Sequence, residues 1–268
     1  MENVAPKQDG RGIPMSVIIY EQPLNERVRT LLRLDFLFKQ AAHALEDHSA
    51  WGSRATINAL IDILNVFVRS DLKTELIKEL ERLATILSPL EHRPGVDQGA
   101  LGKILRDLER LIDLMQLQQG QIGNGLKDHE FLNNIRQRST IPGGTCHFDL
   151  PAYHHWLNQS SEDRTRDLEG WFASFTPLRD ASELILHLTR ESASSSRETA
   201  EQGFFQQALD TQVPNQLVRV VLAQPTDCFA EISGGKHRFS IRFMRPDEQG
   251  HPCQTDKNIE FQLLCCAI

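Results

Sequence analysis

Apolar positions along the chain change period twice. The first stretch, Met15-Ser16-Val17-Ile18-Ile19-Tyr20-Glu21, is β-branched and aromatic and is stopped by Pro23, which predicts one short strand. From Leu24 the period becomes helical. A first helix is predicted over about Asn25 to Leu45, with Val28, Leu31, Leu32, Phe36, Phe38 and Ala42 on a broad apolar face that Asp35 interrupts. A second carries Ile57, Leu60, Ile61, Leu64, Phe67 and Val68; a third Leu72, Leu76, Leu80, Leu83, Leu87 and Leu90; a fourth Leu101, Ile104, Leu105, Leu108, Leu111, Ile112 and Met115. Steps of about three and four residues put each set on one stripe, to be buried against neighbouring helices. Asp71 and Asp97 stand where N-caps are expected, and Pro89, Pro94 and Gly95 punctuate the gap between the third and fourth helices. The heptad-like run from Leu76 to Leu90 is too short for a coiled coil and reads as packing within a bundle. A loop follows at Gly120, Gly123 and Gly125, then helices over about Asp128 to Arg138, Pro151 to Leu157, Glu162 to Phe172 and Leu178 to Arg190.

Composition shifts at the Ser-rich Glu191 to Thr199, and beyond it the pattern is that of strands. Leu217 to Ala223, Cys228 to Ser233, Lys236 to Met244 and Asn258 to Cys265 are β-branched or aromatic and alternate, with Pro225, Gly234, Gly235, Pro246, Gly250 and Pro252 in the turns. Short spacings imply an antiparallel sheet. The early strand needs a partner and is expected to join it. The fold class read from this order is α+β: an N-terminal helical bundle domain, then a C-terminal antiparallel β-sheet domain. The expected division is a flexible leader over residues 1–13, a strand over 14–22 that joins the β domain, a helical domain over 23–192 and a β-rich domain over 193–268.

Charge narrows the function classes. The formal net charge is −7, whereas a general nucleic-acid binder is usually basic. The longest apolar runs, such as Ile57 to Val68, are broken by Asn58, Asp62 and Asn65, so no membrane span is expected. The leader carries Glu2, Lys7, Asp9 and Arg11 and lacks the apolar stretch of a signal peptide, so the chain reads as cytoplasmic. Five cysteines, Cys146, Cys228, Cys253, Cys265 and Cys266, are odd in number and irregular in spacing, consistent with reduced thiols.

The most informative stretch chemically is Lys236-His237-Arg238-Phe239-Ser240-Ile241-Arg242-Phe243-Met244-Arg245. Read as a strand, it puts Phe239, Ile241 and Phe243 on one face and Lys236, Arg238, Ser240 and Arg242 on the other. No acid interrupts it. A solvated basic face is the plainer reading; the functional one is a row of cations that grips an acidic or carboxylate-bearing peptide, for which the arginine fork is suited. Arg29 and Arg33 share one side of the first helix, with Arg69 at the end of the second. Cys146, His147, His154 and His155 invite a metal reading, but their spacing lacks the paired ligands of a zinc site. Gly234-Gly235-Lys236 lacks the earlier glycine and the Ser/Thr of a phosphate loop, and no G-x-S-x-G occurs. Acids such as Glu79 and Glu81 read as the polar side of a helix. No catalytic constellation or cofactor site is legible, so the chain is read as a non-enzyme.

Several strings, taken together and in order, resemble the ZapD family of Z-ring-associated proteins. They are Tyr20-Glu21-Gln22-Pro23-Leu24-Asn25-Glu26-x-x-Arg29-Thr30-x-Leu32-Arg33, Thr74-Glu75-Leu76-x-Lys78-Glu79-Leu80, Pro94-Gly95-Val96-Asp97, Arg136-Gln137-Arg138-x-x-Ile141-Pro142-Gly143-Gly144, Phe148-Asp149-Leu150-Pro151 and Ile232-Ser233-Gly234-x-Lys236-x-Arg238-Phe239-x-Ile241-Arg242-Phe243. The likeness runs from about Val17 to Cys265. It implies a two-domain protomer in a symmetric homodimer that binds the C-terminal tail of the division GTPase FtsZ and bundles its filaments at the mid-cell division site. By resemblance, Lys236, Arg238 and Arg242 fall on the family's basic tail-binding region, and Arg33 and His154 on positions whose charge bears on bundling. A further position that is basic in the family pattern holds Glu130 here. Two other classes are weighed beside this: a metal-dependent hydrolase built on Cys146, His147 and His154, and a nucleic-acid-binding division regulator using the Arg238 face.

Overall fold

In a computed structural model, residues 16–68, 71–117 and 123–268 are described. The chain divides into two compact units. One is the segment ending at Arg29 together with Leu186–Ile268; the other is Thr30–Ile185. The first unit is therefore discontinuous in sequence, and both crossings fall inside helices, α1 (Glu26–Glu46) and α9 (Thr176–Glu191).

In the helical unit, α1 is followed by α2 (Ala50–Val68), α3 (Leu72–Leu87), a 3-10 turn over Ser88–His92, and α4 (Gln98–Leu117). Then come the single turn α5 (Asn124–Lys127), α6 (Glu130–Ser139), α7 (Pro151–Leu157) and α8 (Ser161–Ala173). The apolar stripes of α2, α3 and α4 are buried as their spacing predicts, with Ile57, Leu60 and Leu64, then Leu72, Leu76, Leu80 and Leu83, then Leu108 and Leu111 in the core. On α1 the reading is corrected: Val28, Leu31 and Phe38 are buried as expected, but so are Leu34 and Asp35, while Phe36 is 66% exposed and Ala42 is exposed, because the buried face follows the 28-31-34/35-38 spacing. Asp97 caps α4 with its carboxylate, accepting from the Gly99 and Ala100 amides at 2.9 and 3.0 Å. Asp71 stands at the N-cap of α3 without such a bond. Glu79 corrects its sequence reading: it is buried on α3, and Arg82 one turn on donates to both of its carboxylate oxygens, at 2.9 and 2.6 Å. The predicted loop residue Gly120 lies outside the described residues.

A second cluster joins Ile57 and Ile61 of α2 to Ile135, Tyr153, Trp156, Leu157 and Leu168. One charged group is buried against it. Arg164 of α8 donates to Ser53 Oγ at 3.0 Å and to the carbonyls of Leu157, Gln159 and His48 at 3.3, 2.5 and 2.7 Å. These acceptors gather the α1–α2 loop, α2 and the α7–α8 loop around one guanidinium.

The β unit is a pair of antiparallel sheets. The first has the order β1-β4-β8-β2, with β1 at Val17–Pro23, β4 at Asn215–Ala223, β8 at Ile259–Ala267 and β2 at Ala193–Ala200. The N-terminal strand thus pairs with a strand about two hundred residues away, Val17 opposite Ala223 and Pro23 opposite Leu217. The second has the order β3-β6-β5, with β3 at Phe204–Ala208, β6 at Arg238–Pro246 and β5 at Phe229–Gly234; β7 (Pro252–Gln254) also pairs with β6. Inner faces of both sheets meet in one core of Ala200, Val218, Val220, Leu222, Ala230, Phe239, Ile241, Phe243, Phe261 and Leu263. Two strand assignments are corrected. The Ser-rich stretch from Ala193 is the edge strand β2, whose side chains are mostly exposed and which pairs only with β8, so it needs no apolar alternation. Lys236 and His237 are not in β6; they form the tip of the β5–β6 hairpin, where the Gly235 amide donates to the Arg238 carbonyl at 3.0 Å. Between β2 and β3 the chain reverses at Gln202 and Gly203, both at positive φ. A Cβ on Gly203 would lie 2.6 Å from the Thr255 carbonyl oxygen, so only glycine fits this close approach.

Two outcomes follow. Replacing Arg164 with Leu leaves three carbonyls without their donor and should destabilise the helical unit by about 3 kcal/mol, read as a shifted urea midpoint. Burial pushes the Cys266 thiol up to about 12, opposed by Arg219. Little thiolate therefore exists at neutral pH, and Cys266 should stay unreactive to a disulfide reagent from about pH 7 to 9 until the protein is unfolded.

Candidate functional site

The β6 strand alternates cleanly. Phe239, Ile241 and Phe243 are 1%, 0% and 0% exposed, while Arg238 and Arg242 stand exposed on the opposite face. The inner residues are fixed by the sandwich core, and a one-residue slip in register would exchange the two faces. The buried phenylalanines therefore dictate where the arginines point.

Pairing extends this outer face across three strands. Arg242 lies opposite Phe204 on β3 and Glu231 on β5; Ser240 lies between Gln206 and Ser233; Arg238 faces Ala208. Beside the hairpin tip is a concavity of about 440 Å³ lined by Gln206, Ser233, Gly235, Lys236, Arg238 and Ser240. Among the described residues, none makes an ion pair with Lys236, Arg238 or Arg242, although Arg245 further along β6 is held by Asp256 at 3.5 Å. Unpaired surface cations over a shallow polar hollow can take up carboxylates without first breaking an internal bridge.

Two other nominated residues, Arg33 and His154, belong to the helical unit. Arg33 is exposed on α1, and His154 is exposed on α7 with its ring 5.7 Å from that of His147. Arg69 lies outside the described residues. Arg29 pairs with Glu26 at 3.1 Å. Glu130 and His129 line a cleft of about 700 Å³ between α6 and α7, together with Phe131, Arg138, Asp149 and Tyr153. Burial pushes the Tyr153 phenol up to about 12 despite Arg54, whose guanidinium stacks 4.9 Å from the ring. The metal reading gains nothing from the geometry: Cys146 Sγ donates to Asp149 Oδ2 at 3.3 Å, and among the described residues no three His, Cys, Asp or Glu side chains converge on a common point.

Sequence reasoning missed two features. Phe204 and Gln206 of the outer face come from β3, a five-residue strand whose Phe-Phe-Gln-Gln run shows little alternation until its pairing is known. Trp51 is 78% exposed at the start of α2, with the Arg54 guanidinium 5.5 Å from its ring; a tryptophan set against a polar run was the available signal.

The ZapD family profile, described as a cell division protein, matches residues 32–242, a span that contains Arg33, Arg69, His154, Lys236, Arg238 and Arg242. A protein of Methylococcus capsulatus titled Cell division protein ZapD is 40% identical over 251 residues, covering 94% of this chain and 98% of its own. Proteins of the same title from Aromatoleum aromaticum and an Azoarcus species are 38% and 36% identical over 252 residues, each covering 94% of this chain and 98% and 100% of their own. Among the described residues, no helix is long and apolar enough to cross a membrane.

Because Arg238 and Arg242 are exposed and form no ion pair, reversing both to Glu should cost no more than about 1 kcal/mol of folding free energy, most of it from placing an acid at position 242 in register with Glu231, checked by circular dichroism through a urea titration.

Proposed function

The chain belongs to the ZapD family of cell division proteins, and from that membership and its cationic sheet face we propose that it binds the C-terminal tail of FtsZ and crosslinks FtsZ filaments. The observation that carries this reading is the unpaired row of Lys236, Arg238 and Arg242 on a face that the core leaves free. Arginine recognises a carboxylate with two parallel hydrogen bonds, which suits an acidic peptide better than a flat apolar surface.

Crosslinking needs two equivalent sites. A symmetric homodimer supplies them, since a two-fold axis repeats every surface patch. Each tail reaches its site on a tether, and contacts that are weak singly become strong when many act along two polymers. Arg33 and His154, both exposed on the helical unit, are proposed to contribute to bundling, and Arg69 with them. The protein acts in the cytoplasm at the mid-cell division site, with no catalytic step and no cofactor.

The test is co-sedimentation with assembled FtsZ, beside FtsZ lacking its C-terminal tail. The protein should pellet only with the tailed polymer, and Arg238→Glu with Arg242→Glu should reduce pelleting to background. Retention should also weaken as ionic strength rises, because the screening length at 0.1 M salt is about 10 Å. Equal pelleting with tailless polymer, or none with either, would overturn the tail-binding reading.

A further inference from the structure

The outer face of the β3-β6-β5 sheet is not uniformly cationic. It changes character in steps along β6. At one end Met244 lies opposite Phe229, both half-buried. The next outward row is Phe204, Arg242 and Glu231, and here Phe204 is 39% exposed. Then comes the neutral row of Gln206, Ser240 and Ser233, and last Arg238 with only Ala208 in register beside it. Lys236 stands just beyond, at the hairpin tip, on the rim of the same hollow.

Charge follows the same gradient. Directly opposed residues on neighbouring antiparallel strands have Cβ atoms about 4.5–5.5 Å apart. Glu231 therefore offsets Arg242 at short range even though the two side chains form no ion pair in this structure. Arg238 and Lys236 have no acid in register. The positive potential is thus concentrated at the hairpin, while the only exposed aromatic of the face lies at the other end. Four residues separate the Arg238 and Arg242 rows, about 13 Å at the usual rise per residue.

We propose that this face reads an extended acidic peptide in one orientation: a carboxylate seats at the Lys236–Arg238 hairpin and an apolar side chain, about four residues away, covers Phe204. In this arrangement Phe204 is the apolar anchor and Arg238 the main cationic one. Glu231 restrains Arg242, which reduces capture of acidic segments that lack the apolar residue. The proposal rests on the tail-binding reading above and assigns the chemistry and direction of its ligand.

The experiment is fluorescence anisotropy of a labelled synthetic peptide of the FtsZ C-terminal tail with the full-length protein. Phe204→Ala should weaken binding about tenfold, since loss of a half-covered aromatic contact is worth roughly one factor of ten. Glu231→Gln should tighten it by about two- to fivefold, the scale of one screened charge pair. Arg238→Gln should weaken binding more than Arg242→Gln in the native background, and the two should converge once Glu231 is Gln, which is the coupling expected of neighbours. All four side chains lie on the outer face, and unchanged thermal melts confirm that each variant is folded. If the native protein binds the peptide but Phe204→Ala binds equally well, or Glu231→Gln does not tighten it, the oriented reading is overturned while tail binding stands. If the native protein does not bind the peptide at all, the tail reading falls and this one with it.

Discussion

One carboxylate closes the β unit. Glu21 on β1 receives both Nε and Nη2 of Arg190, each at 2.9 Å, at the end of α9. On its other side Arg219 Nε of β4 approaches to 2.9 Å, a charge contact without hydrogen-bond alignment. All three side chains are largely withdrawn from water. Half-buried charges are costly unless satisfied, and removing one partner of such a group typically costs about 3–5 kcal/mol. The clamp therefore selects against any arrangement in which β1 is elsewhere. With β1 in place the sheet has its full width, and the core beneath β6 has its second wall.

That core is what orients the cationic outer face of β6. An antiparallel sheet can be dry on one side and wet on the other, and strand alternation assigns each residue to one of them. The phenylalanines of β6 occupy the dry side, so the arginines are held in solvent at little desolvation cost. They need no internal partner, which leaves their donors open to a ligand. The helical unit uses a deeply buried arginine differently: Arg164 meets neutral acceptors and serves to join loops.

Much of this was legible in the residues themselves. The long helices have strong stripes, and α7 begins at Pro151 and ends at Leu157, as proline and the loss of apolar spacing predict. The α+β order and the two faces of β6 were readable for the same reason, because periodicity is a local property. What could not be read was non-local. The edge strand β2 is hydrophilic because one side of it faces solvent and its pairing satisfies the backbone. Glu79 reads as a surface acid until Arg82 and the α3 stripe enclose it. The short β3, and with it Phe204, is defined by a partner strand thirty or more residues away, as Ala208 opposite Arg238 shows by its numbering. The candidate face was legible in part because Arg238 and Arg242 lie on one strand. Phe204 and Glu231 were not, because they come to that face from two other strands.

The strand order also bears on how the chain can be made. In the first sheet β8 lies between β4 and β2, and β4 is the strand that receives β1. Synthesis from the N-terminus delivers β1 well before β4 and β8, with the whole helical unit between them. At ribosomal speeds of about 5–20 residues per second, β1 waits roughly 10–50 s for the middle of its sheet to exist. During that interval Val17, Ile18 and Ile19 form a sticky orphan that a chaperone or a neighbouring nascent chain can seize. Biogenesis of this fold is therefore a race whose vulnerable runner is β1, made long before the strands that will hold it.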